Sequence, residues 1–383
     1  MLHLNNAGAS LASDRTLAIV TAHFKLEQMI GPYEAAQASA SALSDAKVAI
    51  GELVNYPSAQ IAIADSATRA WNSLIYGVEL KPGDVVVTSQ LEFGSMLASL
   101  VDHCRHQGAT IRIAPTDNAG RIDVERLNAS MGPDVKLIAV AHAPAHLPLL
   151  NPVERIDALA SSYDVPVLFD ACQTAGLVTL PKLKSRRSAI CGTGRKWLRG
   201  PRGTGFLAVT EAWAAELKPP TVDLANSDAE NLGDLNLTDL KTLTDGKRFE
   251  LWERNIAVVL GLGNAVREAL AYGVPAIEED AVNRAIQLKG LFSGAVASRL
   301  VCGNYQETPV LCLKLSAEEA EQVGTALKAA GLNHSIMSPW DAPIDFQRRG
   351  LAKILRLSPH YFTSASEITA AADILNRDAI LGR

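Results

Sequence analysis

From about residue 40 onward, the apolar positions alternate between helical spacing and short unbroken runs. ALSDAKVAIGELV (42–54) has helical spacing, and SATRAWNSLIYGV (66–78) repeats it behind Ser66, a residue suited to cap a helix. DVVVTS (84–89) is a β-branched run that predicts a strand. GSMLASLVDHCRHQG (94–108) returns to helix and TIRIAP (110–115) to strand. After a helix in RIDVERLNAS (121–130) come a strand in KLIAVAHA (136–143), a helix opening on Pro152, and strands in VPVLFDA (165–171) and TGFLAVT (204–210). Helices set between apolar strands predict an α/β domain with a largely parallel sheet covered on both faces.

The character changes after WERNIAVVLGLGNAVREALAYG (252–273). One long helix over 276–299 leads to strands in TPVLCLKLS (308–316) and AKILRLSPHYF (352–362), with helices at 317–331 and 366–379. This predicts a large α/β domain over 13–265 and a smaller α+β domain built from 1–12 and 266–383. No internal repeat and no low-complexity segment interrupts the chain.

Composition excludes several functions. With 48% hydrophobic and 20% charged residues, the chain is expected to be folded throughout. A net charge of -5 without long Lys/Arg runs gives no footprint for nucleic acid or an anionic membrane. No apolar stretch reaches the roughly 18 residues of a membrane span, and the N-terminus lacks a secretory pattern, so a cytoplasmic protein is expected. Five cysteines, Cys104, Cys172, Cys191, Cys302 and Cys312, form no CxxC pair, which argues against zinc and disulfides and predicts small buried hydrophobes. GLGNAV (261–266) lacks the third glycine of a dinucleotide fingerprint and sits in a helical pattern.

Candidate chemistry gathers at ICGTGRKWLRGPRGTGF (190–206), where Lys196 stands among glycines, Thr, Trp and Phe. Asp170 ends an apolar strand, where a carboxylate is costly to desolvate without a partner. Taken alone, Asp170 reads as a structural carboxylate, a helix cap or the partner of an internal arginine, as readily as a functional one. Its company, Gln173 and Lys196, favours one cofactor. Pyridoxal 5'-phosphate needs a lysine for its Schiff base, a carboxylate at the pyridine nitrogen and an anion pocket for its phosphate. GTGRK supplies the lysine and the pocket, through Thr193, close-approaching glycine amides and Arg195.

FDACQTAG (169–176) followed by CGTGRKWLRGPRGTGFL (191–207) resembles the class V aminotransferase and cysteine desulfurase-like family, which has the fold-type I pyridoxal phosphate architecture. NNAGAS, GPYEA, DSATRAW, QLEFGSM, NPVERI, RFELWERN and RLSPHYF fall in the family's order along nearly the whole chain. The resemblance implies that Lys196 forms the internal aldimine and moves the Cα proton. It implies that Asp170 pairs with the pyridine nitrogen, Gln173 bonds the ring hydroxyl or imine, and Phe93, where many relatives have His, stacks on the ring. Ser66, Ala67 and Thr68 at a helix N-terminus would join Thr193 and Arg195 on the phosphate. Arg356 would bind the α-carboxylate of an amino-acid substrate. His146 and Tyr33 would face the substrate, and in a homodimer Trp252, Glu253 and Tyr33 would come from the partner subunit. Plainer readings stand beside these: Phe93 as core, Thr68 as a first-turn residue, Arg356 pointing outward from an alternating strand, His146 filling its loop.

The region NHSIMSPWDAPIDFQRRG (333–350) contains no cysteine to carry sulfur as a persulfide, which disfavours a persulfide-forming desulfurase. GRKWLRGPRG also resembles the hercynylcysteine sulfoxide lyase and isopenicillin N epimerase-like branches. The expected reaction is therefore β-elimination through a Lys196 aldimine and a quinonoid, with transamination and epimerisation as alternatives. A non-catalytic binding module would have lost the lysine, the aspartate or the phosphate donors, and all are present.

Overall fold

The computed structural model describes residues 1–228, 240–301 and 305–381. Its strands are β1 (Leu2–His3), β2 (Ile61–Ala64), β3 (Val85–Thr88), β4 (Thr110–Ile113), β5 (Val135–Ala141), β6 (Val167–Asp170), β7 (Ser188–Thr193), β8 (Gly205–Val209), β9 (Leu311–Leu315), β10 (Leu332–Asn333), β11 (Ser335–Met337) and β12 (Lys353–Leu357). Seven of them form the central sheet in the order β2-β8-β7-β6-β5-β3-β4, with β8 antiparallel to both neighbours and every other pair parallel.

The unbroken apolar runs are explained by burial on both faces. Val85, Val87, Ile138, Val140, Val167 and Phe169 pack into one core, while Val86, Leu137, Ala139 and Leu168 pack into another on the opposite face. Strands β2 and β7 were not legible as strands in the sequence. β7, SAICGT, is buried at every position, so it has no polar alternation and its glycine reads as a breaker.

A three-stranded antiparallel sheet, β11-β12-β9, forms the terminal part, and the N-terminal β1 joins it by pairing parallel with β10. Period-2 alternation divides its two faces. Leu311, Leu313, Leu315, Leu355 and Leu357 enter a core shared with the helices Ala317–Ala329 and Ala365–Leu375, whereas Cys312 and Ile354 face the central domain's core. Arg356 shares the parity of Ile354, so it too points toward the central domain.

The two cores part along the helix Val274–Gly290, where Ile277 and Ala281 join the central core and Ala285 and Leu288 the terminal one. The expected boundary at 265 falls inside the helix Ile256–Tyr272, which runs unbroken to Gly273, at φ +94°. GLGNAV lies within that helix. The single long helix expected over 276–299 is two: it stops at Gly290, and a short helix Gly294–Ser298 restarts behind Ser293. Phe292 turns into the terminal core at the break. Cys104, Cys172, Cys191 and Cys312 are buried, and Cys302 lies outside the described residues. Among the described residues no single helix is long and apolar enough to cross a membrane.

Candidate active site

Parallel strands end on one edge of the central sheet, and their C-terminal residues come together there. Ala141, Asp170 and Cys191 are register partners across β5, β6 and β7, and Thr193 at the end of β7 lies beside Gly205. The loops beyond this edge enclose a pocket lined by Ser66, Ala67, Thr68, Phe93, Asp170, Gln173, Thr193, Arg195 and Lys196, with Leu91, Met96, Ala141, Ala143, Pro144, Ala145 and Cys172 completing its walls. Every residue assigned to the cofactor from the sequence is therefore on one cavity, as the carboxyl-edge rule for open α/β sheets leads one to expect.

Lys196 follows β7 in a tight turn closed by the Gly200 N–H donating to the Gly194 carbonyl at 2.7 Å. Its ammonium lies 6.0 Å from the Phe93 ring centroid, so the aromatic side chain faces the lysine across the pocket. Burial lowers the Lys196 pKa, Arg195 and Arg356 lower it further, and the nearby Cys172 and Asp170 oppose them only in part. A lysine with a depressed pKa is more often a free amine, the form that attacks a carbonyl.

Asp170 is 5% exposed, and its Oδ1 accepts the Cys172 N–H at 2.8 Å. It is the one carboxylate among the described lining residues. Against it stand Lys196, Arg195, whose guanidinium donates to the Gly8 carbonyl, and Arg356 nearby, pushed down to about 10 by burial. This excess of cations in a dry site suits a ligand carrying several negative charges.

The anion end is built on backbone. Ser66 caps the helix Ala67–Ile75, its Oγ accepting the Arg69 N–H at 3.2 Å, and the free amides of the first turn point along the positive end of the helix dipole. Gly205 holds that turn close: a Cβ there would stand 2.4 Å from the Ser66 carbonyl carbon. Thr193 Oγ1 donates to the Thr204 carbonyl at 3.3 Å, leaving its lone pairs and the Thr68 hydroxyl on the pocket wall. Amine, carboxylate and anion cradle thus fit pyridoxal 5'-phosphate in the donor set and in its charge.

Gln173 lines the pocket, but its amide is engaged elsewhere: Oε1 accepts Trp197 Nε1 at 2.9 Å and Nε2 donates to the Ala7 carbonyl at 3.2 Å. Arg356 donates to the Ala145 carbonyl at 2.9 Å and to Asn5 Oδ1 at 3.2 Å, while its Nε is buried without a partner. His146 points away from the pocket and binds Asp345. Tyr33 and Trp252 are 76% and 60% exposed, and Glu253 lines a neighbouring depression with Asp65, Arg69 and Arg202, so none of the three reaches the pocket of its own chain. The N-terminal segment, notable in sequence only as a family station, supplies carbonyls to both Gln173 and Arg195. His360 of RLSPHYF ties the other end of the chain to the lysine loop by a 3.0 Å bond to the Trp197 carbonyl.

Glu92 was not singled out by sequence reasoning, because the interest of QLEFGSM lay in Phe93. It is 1% exposed; Oε1 accepts the Ser89 hydroxyl at 2.5 Å and the Ala141 N–H at 2.9 Å, and Oε2 is buried without a partner. Burial, with Asp170 adding repulsion, raises its pKa to about 8, so it carries a proton at neutral pH. Its carboxyl holds the N–H of the wall residue Ala141. Glu92→Ala is expected to cost about 1–3 kcal/mol, because the buried Ala141 N–H loses its acceptor. Glu92→Gln preserves that acceptor. Since the folded value near 8 exceeds the unbound 4.5, the wild type's contribution is complete below pH 4.5 and is lost as pH rises to 8. Urea denaturation at pH 5 and pH 8 should therefore show the wild type falling relative to Glu92→Gln.

Comparison with known proteins decides the family. The aminotransferase class-V model matches residues 3–370. The chain belongs to the class V aminotransferase family. Members of this family are pyridoxal-phosphate enzymes, in agreement with the donor set above. The chain is 26% identical over 353 residues to a probable cysteine desulfurase of Mycolicibacterium paratuberculosis, covering 88% of this chain and 49% of that one. It is 25% identical over 383 residues to a probable hercynylcysteine sulfoxide lyase of Mycobacterium tuberculosis, covering 98% and 89%. The chain spans about half the length of the first of these relatives. Among solved structures, an apo cysteine desulfurase from Thermococcus onnurineus NA1 superposes with a TM-score of 0.88 at 18% identity, over 100% of this chain and 95% of that one, which shows the shared fold.

Proposed function

We propose that this class V enzyme is a β-eliminating lyase, acting on an amino acid that carries a sulfur-bound or comparable leaving group on Cβ. The observation that carries the reading is the presence of a single usable base. Among the described lining residues, Lys196 alone offers an amine of depressed pKa: burial lowers Arg195 as well, but a guanidinium keeps its proton, and the Cys172 thiol is pushed well above its usual range by burial. Where many relatives have an imidazole, the ring-face position is Phe93. Epimerisation asks for acid and base on opposite faces, whereas elimination needs one base at Cα and an exit for the leaving group. The match to a protein named as a sulfoxide lyase, over nearly all of both chains, supports the same reading.

When bound, pyridoxal phosphate supplies a carbonyl that condenses with the substrate amine and a ring that draws electron density from Cα. The chain's residues do the rest. Ser66, Ala67, Thr68, Thr193 and Arg195 would hold the phosphate, and Asp170 would keep the proton on the pyridine nitrogen. Arg356 takes the substrate carboxylate in a bidentate pair. Lys196 accepts the Cα proton, the β-substituent leaves with its bonding electrons, and the freed enamine hydrolyses to a keto acid and ammonia. Transamination uses the same lysine and is the second reading. The apolar walls Leu91, Met96 and Pro144 keep water from the site in either case.

Exposed Tyr33, Trp252 and Glu253 fit a homodimer in which each subunit closes its partner's pocket, along with exposed Leu17, Phe24, Met29 and Ile30 on the helix Asp14–Ile30. The discriminating experiment offers the cofactor-loaded protein cysteine sulfoxides and cysteine sulfinate without any keto-acid acceptor. Ammonia and keto acid released in equal, repeated turnovers support the lyase. A single turnover that resumes only when a keto acid is added supports the aminotransferase.

A further inference from the structure

His146 does not reach the pocket, yet it is one of the most thoroughly buried polar side chains in the molecule. Its Nε2 lies 2.8 Å from Asp345 Oδ2, with side-chain exposures of 1% and 0%. The two belong to different parts of the chain: His146 to the loop after β5, Asp345 to the helix Pro343–Arg349 of the terminal part. Arg349 Nε donates to both Asp345 oxygens, at 3.0 and 2.9 Å, and Gln90 Nε2 donates to Oδ1 at 3.2 Å. Burial pushes the Asp345 carboxyl up, but the His146 bond and Arg349 outweigh it and hold the group ionised. His146 Nδ1 is buried without a partner, and Nε2 is the ring atom that faces Asp345 Oδ2, where an N–H donates to the carboxylate.

The backbone on either side of His146 carries the consequence. The Ala145 carbonyl accepts Arg356 Nη1 at 2.9 Å, and the His146 carbonyl accepts the Cys312 thiol at 2.7 Å. Cys312 and Arg356 are cross-strand partners in β9 and β12. Two successive carbonyls of the loop therefore hold two adjacent side chains of the terminal sheet, and the His146–Asp345 bond pins that loop to the terminal helix. Ala143, Pro144 and Ala145 line the pocket itself.

We propose that His146 is a positioning residue for the substrate carboxylate. Through Asp345 it fixes the Ala145 carbonyl that aims the Arg356 fork, so the carboxylate site is formed only with the terminal domain seated against the central one. This rests on the reading of Arg356 given above. A carbonyl displaced by an ångström leaves the guanidinium free to turn, and a planar fork loses most of its advantage when its direction is lost.

The test uses the cofactor-loaded protein and reads binding by the change in cofactor absorbance, with L-alanine and its decarboxylated counterpart ethylamine as probes. His146→Leu is expected to raise the half-saturating concentration of L-alanine about tenfold or more, corresponding to about 1.4 kcal/mol. Ethylamine, with no carboxylate, should bind wild type and variant alike, and the absorbance without ligand should be unchanged. His146→Gln, whose amide can still donate to Asp345, should recover most of the loss. Equal weakening for both probes would mean a merely structural role, and no weakening for L-alanine would equally overturn the inference. A wild type whose absorbance responds to no L-amino acid overturns the amino-acid reading itself, and the inference falls with it.

Discussion

Lys196→Ala is expected to abolish turnover, with a loss on the order of 10⁴-fold or more, because the proposed function makes one side chain both the covalent attachment and the Cα base. The variant should fold. The Lys196 side chain makes no hydrogen bond or ion pair among the described residues, and the Phe93 ring lies 6.0 Å from its ammonium. Removing it also deletes a buried positive charge disfavoured by burial, Arg195 and Arg356. Urea denaturation should therefore show stability unchanged or raised. Pyridoxal phosphate should still bind through the Ser66–Thr68 turn, Thr193 and Arg195, but it should wash out on desalting, where the wild type retains it. A variant that keeps its cofactor through desalting and turns over at even a hundredth of the wild-type rate would remove Lys196 from both roles.

Asp170→Asn should lower kcat by about 10²–10⁴-fold while leaving the fold intact. The amide oxygen still accepts the Cys172 N–H that Oδ1 holds at 2.8 Å, so the end of β6 keeps its local geometry. What disappears is the negative charge that, in the proposed function, would keep a proton on the pyridine nitrogen, and electrostatic groups of this kind contribute several kcal/mol to a transition state. Substrate affinity, which the proposed function assigns to Arg356 and the walls, should change far less than kcat. A second readout follows from the neighbour: Asp170 repulsion helps hold the Glu92 value near 8. In Asp170→Asn the stability lost between pH 5 and 8 through Glu92 should be shifted to lower pH, an effect no disturbance of the cofactor alone would produce.

The chemistry was legible from sequence where residue type and order carry it. Lys196, Asp170, Thr193, Arg195 and the Ser66 cap sit in local segments whose conformation is set by strand ends, glycines and a helix start. The folded chain brings them to one cavity, as those local signals imply. What sequence could not give is the pairing between distant segments. Nothing near His146 announces Asp345, 199 positions away, and without that partner the histidine reads as a ligand for the cofactor or substrate. Gln173 lines the pocket, yet its amide is held by Trp197 of the lysine loop and by Ala7, a contact that depends on the N-terminal segment folding back over that loop. Glu92 escaped notice for a related reason. A glutamate beside an aromatic residue is unremarkable until burial removes its water and Asp170 approaches it. The strands and helices after residue 300 are legible in the hydrophobic pattern, but the face that their sheet turns to the pocket follows only from the parity of Arg356 with Ile354 against Leu355 and Leu357.

The account stands or falls on the bond to Lys196. Purified protein incubated with pyridoxal phosphate, reduced with borohydride, digested and examined by mass spectrometry should carry a pyridoxyl phosphate group on the peptide containing Lys196 and on no other lysine. An unmodified Lys196 peptide, or labelling spread over surface lysines such as Lys81 and Lys136, would contradict it.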